Sequence, residues 1–117
     1  MNAEVLGHLE ELGSSAGFVE KLAGVFVADN SVLLGRMERA VAARNYGELR
    51  SHLHAMKGSS ASMGTERLTS LCTSLGACSD AELRLQGPKL LRTLSDELSA
   101  ARAELDRYLR EKQRSAR

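Results

Sequence analysis

The chain has 117 residues, with 16 Lys and Arg against 15 Asp and Glu, a net charge of +1 and only 3% aromatic residues. That length suits one domain, 1–117, with a core of its own, and the near-neutral balance leaves no electrostatic footprint for nucleic acid or an anionic membrane surface. One proline, no Trp and a composition rich in Ala, Leu, Glu and Arg make an all-α fold the default, with Leu, Val, Met and Ala filling the interior.

Residues 2–12 read as a short helix. Val5, Leu6, Leu9 and Leu12 keep one face, Asn2 can cap it, and His8 at the edge of that face reads as a structural histidine. The segment is acidic and amphipathic, without the basic start and long apolar block of a secretory signal. No apolar run approaches the ~20 residues of a membrane span. Gly13-Ser14-Ser15 makes a turn, and Ser14 or Ser15 can cap the next helix.

That helix is long and expected over 16–43. Phe18, Leu22, Val25, Phe26, Leu33, Met37, Ala40 and Val41 keep a helical repeat, interrupted by the polar run Asp29-Asn30-Ser31. Gly24 and Gly35 weaken it locally, either for close helix contact or to leave a flat surface for a partner. Arg44-Asn45 is a tight connection, with Asn45 as cap and Glu48 three residues later completing a capping box. The next helix runs from Tyr46 to about Met63, Gly64-Thr65 ends it, and residues 65–77 give a short helix with Leu68, Leu71, Cys72 and Leu75 inside. Ser79-x-x-Glu82 is a second capping box and starts the last helix. Leu83, Leu90, Leu91, Leu94, Leu98, Ala101, Leu105 and Tyr108 stay in phase across Gly87-Pro88, which predicts one helix kinked at Gly87, with two separate helices as the alternative. The polar, basic end should fray.

These elements assemble as an antiparallel up-down four-helix bundle over 16–112, with the short N-terminal helix at one end and a frayed tail over 113–117. Cys72 and Cys78 fall six apart on one expected helix, a rise of about 9 Å, too far for a disulfide. Reduced thiols suit the cytoplasm. Without a C-x-x-C pair or a second set of ligands, Cys72 reads as core and no metal site is expected.

The helix after Asn45 carries two stripes. Leu49, Leu53, Met56, Ser60 and Met63 recur at helical steps and turn toward the core. Arg50, His54, Lys57, Gly58 and Ala61 form the other. At about 100° per residue, His54 lies roughly 140° from the apolar centre and faces water, with Lys57 one turn away. His52 lies about 60° from that centre, at the boundary, so the two histidines cannot share a metal. Gly58 sits at i+4 from His54, where any other side chain would shoulder the imidazole. Mid-helix glycine costs about 1 kcal/mol relative to Ala, so its place on the water side points to cleared access. Imidazole as a class is largely neutral near pH 7 and nucleophilic, and a neighbouring ammonium offsets phosphate charge.

His54-x-x-Lys57-Gly58-Ser59-Ser60-Ala61-x-x-Gly64, followed by Leu68, Leu71 and Cys72 and preceded by Phe18, Leu22, Phe26, Asp29, Leu33, Met37 and Ala40, resembles the signature of histidine phosphotransfer domains. The resemblance covers about residues 16–80. It implies a phosphorelay intermediate: His54 accepts a phosphoryl group from a receiver-domain phosphoaspartate and passes it to another receiver, Lys57 steadies the phosphate, and Gly58 admits the receiver, with Arg50 and Ala61 on the binding surface. Ser60, on the buried stripe, supports the helix. The implied partners are response-regulator receiver domains and a parent hybrid sensor kinase. The receiver supplies Mg²⁺, and this chain binds no cofactor. With no Walker loop and no strand to carry a nucleotide loop, it is expected to be a carrier and not a kinase. Many such domains have Glu or Gln where Gly76 stands, close enough to orient the imidazole; that bond is absent here or comes from elsewhere. The alternatives are a helical adaptor that binds a receiver or kinase without carrying phosphate, and the phosphoacceptor domain of a chemotaxis-type kinase.

Overall fold

The computed structural model describes residues 4–7 and 17–115. Helix α1 spans Phe18–Ala42, α2 Tyr46–Ser62, α3 Glu66–Gly76 and α4 Asp80–Ser115. The connections 43–45, 63–65 and 77–79 are too short to do anything but reverse the chain, so each helix runs antiparallel to the one before it. Helices α1 and α3 each pack against both α2 and α4, which closes the four around one core. The molecule measures 53 × 20 × 20 Å. At about 1.5 Å per residue, α4 spans that whole length.

Residues 4–7 are helical and bring Leu6, fully buried, into the core. The remainder of the short N-terminal helix and the Gly13-Ser14-Ser15 turn, with Asn2, His8, Leu9 and Leu12, lie outside the described residues. Leu49, Leu53, Met56, Leu68, Cys72, Leu75, Leu83, Leu94 and Leu105 form the centre of the bundle. Each fully buried Leu contributes roughly 1.5–3 kcal/mol through the apolar area it removes from water. Leu71 is only partly buried, on the shoulder of α3.

Local chemistry sets the turns. Arg44 (φ 55°) and Gly64 (φ 74°) are both left-handed and both follow a helix end. At the first, the N–H of Arg44 donates to Val41 O at 3.1 Å and that of Asn45 to Ala40 O at 2.8 Å. At the second, Gly64 donates to Ala61 O at 3.2 Å and Thr65 to Ser60 O at 3.0 Å. This pair of bonds closes a helix through a left-handed residue, where glycine is the usual choice. Asn45 then caps α2: its Oδ1 accepts from the Glu48 N–H at 3.1 Å. Its own N–H is occupied by Ala40, so the Glu48 carboxylate takes the Asn45 Nδ2 donor instead, at 3.1 Å. The Ser79–Glu82 box is reciprocal, Ser79 N–H to Glu82 Oε1 at 3.1 Å and Glu82 N–H to Ser79 Oγ at 3.2 Å. Those bonds, the backbone one first, lower the Glu82 pKa. The cap's electrostatic support is therefore present above the ordinary carboxylate range and is lost as pH falls through the lowered value.

Three expectations change on contact with the structure. Gly87 is buried, and a Cβ there would meet Val41 Cγ1 at 3.0 Å, so this glycine lets α4 approach α1. The helix continues through Pro88 as one element and on to Ser115, into the segment expected to fray. Gly24 has nothing within 4 Å of a Cβ and is exposed, so it is not a close helix contact. At Gly35 a Cβ would meet only the far end of the Arg39 side chain, at 3.8 Å. Val25 is 57% exposed, beside Val32 at 53%, so it belongs to the outer face of α1 and not to its apolar stripe.

Candidate functional site

Asn45 fixes where α2 begins, and the azimuth of every later side chain depends on it. Leu49, Leu53, Met56 and Ser60 are buried. His54, Lys57, Gly58 and Ala61 are exposed on the opposite face. Among the described residues no side chain hydrogen-bonds the His54 imidazole. Around Gly58, nothing lies within 4 Å of where a Cβ would be, so the space beside the imidazole is open. At the end of α3, Gly76 is likewise exposed with nothing near its Cβ position.

Two neighbouring helices hold this face in place. Asn30 of α1 is fully buried. Its Nδ2 donates to Phe26 O at 2.8 Å and contacts Ser59 Oγ at 3.1 Å. Ser59 Oγ in turn lies 3.2 Å from Asn30 Oδ1 and 3.1 Å from Met56 O, with one hydroxyl proton to share among these contacts. The pair locks α2 against α1 one residue beyond Gly58. On the other flank, burial pushes the Cys72 thiol up to about 11, partly offset by the Lys57 ammonium. Lys57 thus stands on the α3 side of the stripe, and Cys72 stays a protonated core thiol at neutral pH. Both cysteines are free, and Cys78 lies beyond the end of α3 instead of sharing its helix with Cys72.

Arg50, expected on the stripe below His54, is half-buried and turned away from it. Its guanidinium donates to Cys78 O at 3.0 Å and pairs with Asp80 at 2.5 Å. It therefore ties α2 to the α3–α4 connection, and that contact restrains the helix one turn before His54. His52 is at the boundary, as its phase predicts, with Nε2 3.3 Å from Glu48 Oε1.

Sequence reasoning missed Asn30. The run Asp29-Asn30-Ser31 read as a polar interruption, whereas the middle residue is the buried one. Phase was the available signal, since Asn30 falls one turn after Phe26. Its partner, 29 residues away, was not legible. Ser60 Oγ is buried without a hydrogen-bond partner among the described residues; its carbonyl accepts the Thr65 hydroxyl at 2.9 Å.

Among the described residues no group of three or more His, Cys, Asp or Glu is placed to hold a metal ion. None of the described helices is long and apolar enough to cross a membrane.

Comparison with known proteins agrees with this geometry. The chain is 29% identical over 103 residues to histidine-containing phosphotransfer protein 2 of Arabidopsis thaliana, spanning 85% of this chain and 66% of that protein. It is 28% identical over 109 residues to histidine-containing phosphotransfer protein 4 of the same plant, 90% of this chain and 86% of that one. The crystal structure of histidine-containing phosphotransfer protein B from Pseudomonas aeruginosa PAO1 superposes with a TM-score of 0.80 at 28% identity, covering 97% of this chain and 95% of that one. The sequence profile described as Hpt domain matches residues 21–109, which include most of the four helices and the His54 stripe. With the profile covering most of its length, the chain belongs to the histidine phosphotransfer (Hpt) domain family.

Proposed function

We propose that His54 is the phosphoacceptor of a phosphorelay, taking a phosphoryl group from the phosphoaspartate of one response-regulator receiver domain and returning it to the aspartate of another. What carries this reading is the open, exposed imidazole, with Lys57 beside it and no side chain at Gly58. In the forward step His54 Nε2 forms a bond to phosphorus as the bond to the aspartate oxygen breaks. The electron pair leaves with the carboxylate. Lys57 offsets charge on the phosphoryl oxygens. Mg²⁺ and the remaining charge stabilisation come from the receiver, so this chain acts as a carrier and needs no nucleotide site. Gly58 keeps the approach clear for the receiver's loops, and Ala61 extends the contact with a small side chain. The reading places the domain in the cytoplasm, free or attached to a sensor kinase.

Incubation with a radiolabelled phosphorylated receiver tests it. Acid-labile, base-stable label should appear on this chain and vanish in His54→Gln, while His52→Gln retains it. A chain that binds the receiver but takes no label is an adaptor, and the proposal fails.

A further inference from the structure

A second feature lies along the same ridge of α2. Tyr46, Arg50 and His54 succeed one another at i+4, so the N-terminal end of α2 continues the surface that carries the imidazole. There the α1–α2 turn and the start of α4 enclose a concavity of 630 Å³ lined by Arg44, Tyr46, Asp80, Ala81, Arg84 and Leu85. Leu85 is 83% exposed, the most exposed large apolar side chain among the described residues. Asp80 is paired with Arg50. Arg44 and Arg84 are exposed and form no ion pair among the described residues. The concavity thus presents two uncompensated guanidiniums around an aromatic ring and a bare Leu. Arg44 also stands where backbone geometry favours glycine. A cation kept at a site its backbone disfavours points to a use for that side chain.

We propose that this end of the bundle is the rim that selects which receiver docks, by engaging a receiver element with carboxylates beside an apolar side chain. The inference rests on the receiver-docking reading above. A standard interface covers about 800 Å² on each partner, a disc of roughly 16 Å radius. Tyr46 lies two turns from His54, about 12 Å along the helix, so a receiver centred on the imidazole reaches it. Rim charges set encounter rate and partner discrimination more than affinity. The guanidiniums favour acidic receivers and repel basic ones.

The test uses a panel of purified receiver domains phosphorylated by a small donor. The receiver that transfers fastest to the wild-type chain is then assayed on variants. Arg44→Glu with Arg84→Glu should slow that transfer by roughly tenfold or more and flatten its dependence on salt. Phosphorylation of His54 by phosphoramidate should be unchanged. Arg44→Gly relieves the left-handed backbone, so it should melt higher than wild type and yet accept more slowly from the receiver. A merely structural Arg44 would show the first effect without the second. If the wild-type chain takes phosphate from no receiver, the docking reading fails and the rim falls with it. If the charge-swapped chain accepts as fast as wild type, the rim alone is overturned. A dimer dissolved by Leu85→Ser would assign the concavity to a second copy and overturn it as well.

Discussion

Leu53 and His54 are adjacent in sequence and belong to opposite worlds. Leu53 is 2% exposed and packed among the other buried residues of the core; His54 is exposed, with no described side chain bonded to its ring. Along the buried face of α2 each residue is explained by the space it fills. The outer face has no such constraint: any good helix former would serve there. It nevertheless carries a glycine, which helices disfavour, at the one position that flanks the imidazole. Packing accounts for the first face, and only chemistry accounts for the second.

The sharpest way to break this division is His54→Gln. Phosphoryl acceptance should be lost completely, with the melting transition moved by no more than the ~0.5 kcal/mol typical of surface changes. Retained label, or a large loss of stability, would put His54 on the wrong side of the comparison. Leu53→Ala is the complementary change. It should cost about 2–5 kcal/mol, read by denaturant unfolding, because the cavity opens at the centre of the bundle. Any molecules still folded should accept phosphate from phosphoramidate. Leu71→Ala should cost less than Leu53→Ala, since Leu71 is only partly buried.

Asn30→Ala probes the join between the two faces. It removes the buried amide that meets Ser59 and leaves the Ser59 hydroxyl only Met56 O as a partner. A loss of about 1–3 kcal/mol is expected. Ser59→Ala alone should cost a similar amount, and the double variant less than the two single losses summed, because both act on one pair. Additive losses would show that the pair is not coupled.

Much of this was legible from residue spacing, and the failures share one cause. The capping boxes at Asn45 and Ser79 and the break at Gly64 are local, and local sequence specifies them. The two faces of α2 come from helical phase alone. Which glycine touches a neighbour depends instead on how helices are rotated against each other. Gly24 looked like a contact and is open, while Gly87 looked like a hinge and is packed on Val41. Val25 sits one residue from Phe26, and about 100° of rotation was enough to expose it. Arg50 has the right phase for the His54 stripe, but its long side chain reaches Cys78 and Asp80 instead. Long-range partners such as Asn30 and Ser59 leave no mark in the spacing of either segment.

Larger and smaller changes at Gly58 separate access from packing. Gly58→Gln should preserve the fold and the reaction of His54 with phosphoramidate, yet slow transfer from a receiver sharply. Equal slowing with both donors would mean that the nucleophile itself is damaged and that Gly58 does not serve access.

The smallest expected effect is also the most specific. In Gly58→Ala the new methyl enters open space, since nothing lies within 4 Å of its position. Helix propensity then acts alone, and the free domain should gain about 0.5–1 kcal/mol. The sign is what matters. A close-packing glycine loses stability when a methyl is added, because neighbours must move. A glycine kept for access gains stability, because the helix was carrying a cost unrelated to folding. A gain together with slower receiver transfer would show that the domain gives up stability to keep the imidazole approachable. A loss of several kcal/mol would mean that the His54 stripe is packed against something, and that the exposed face of α2 obeys the same rule as the buried one.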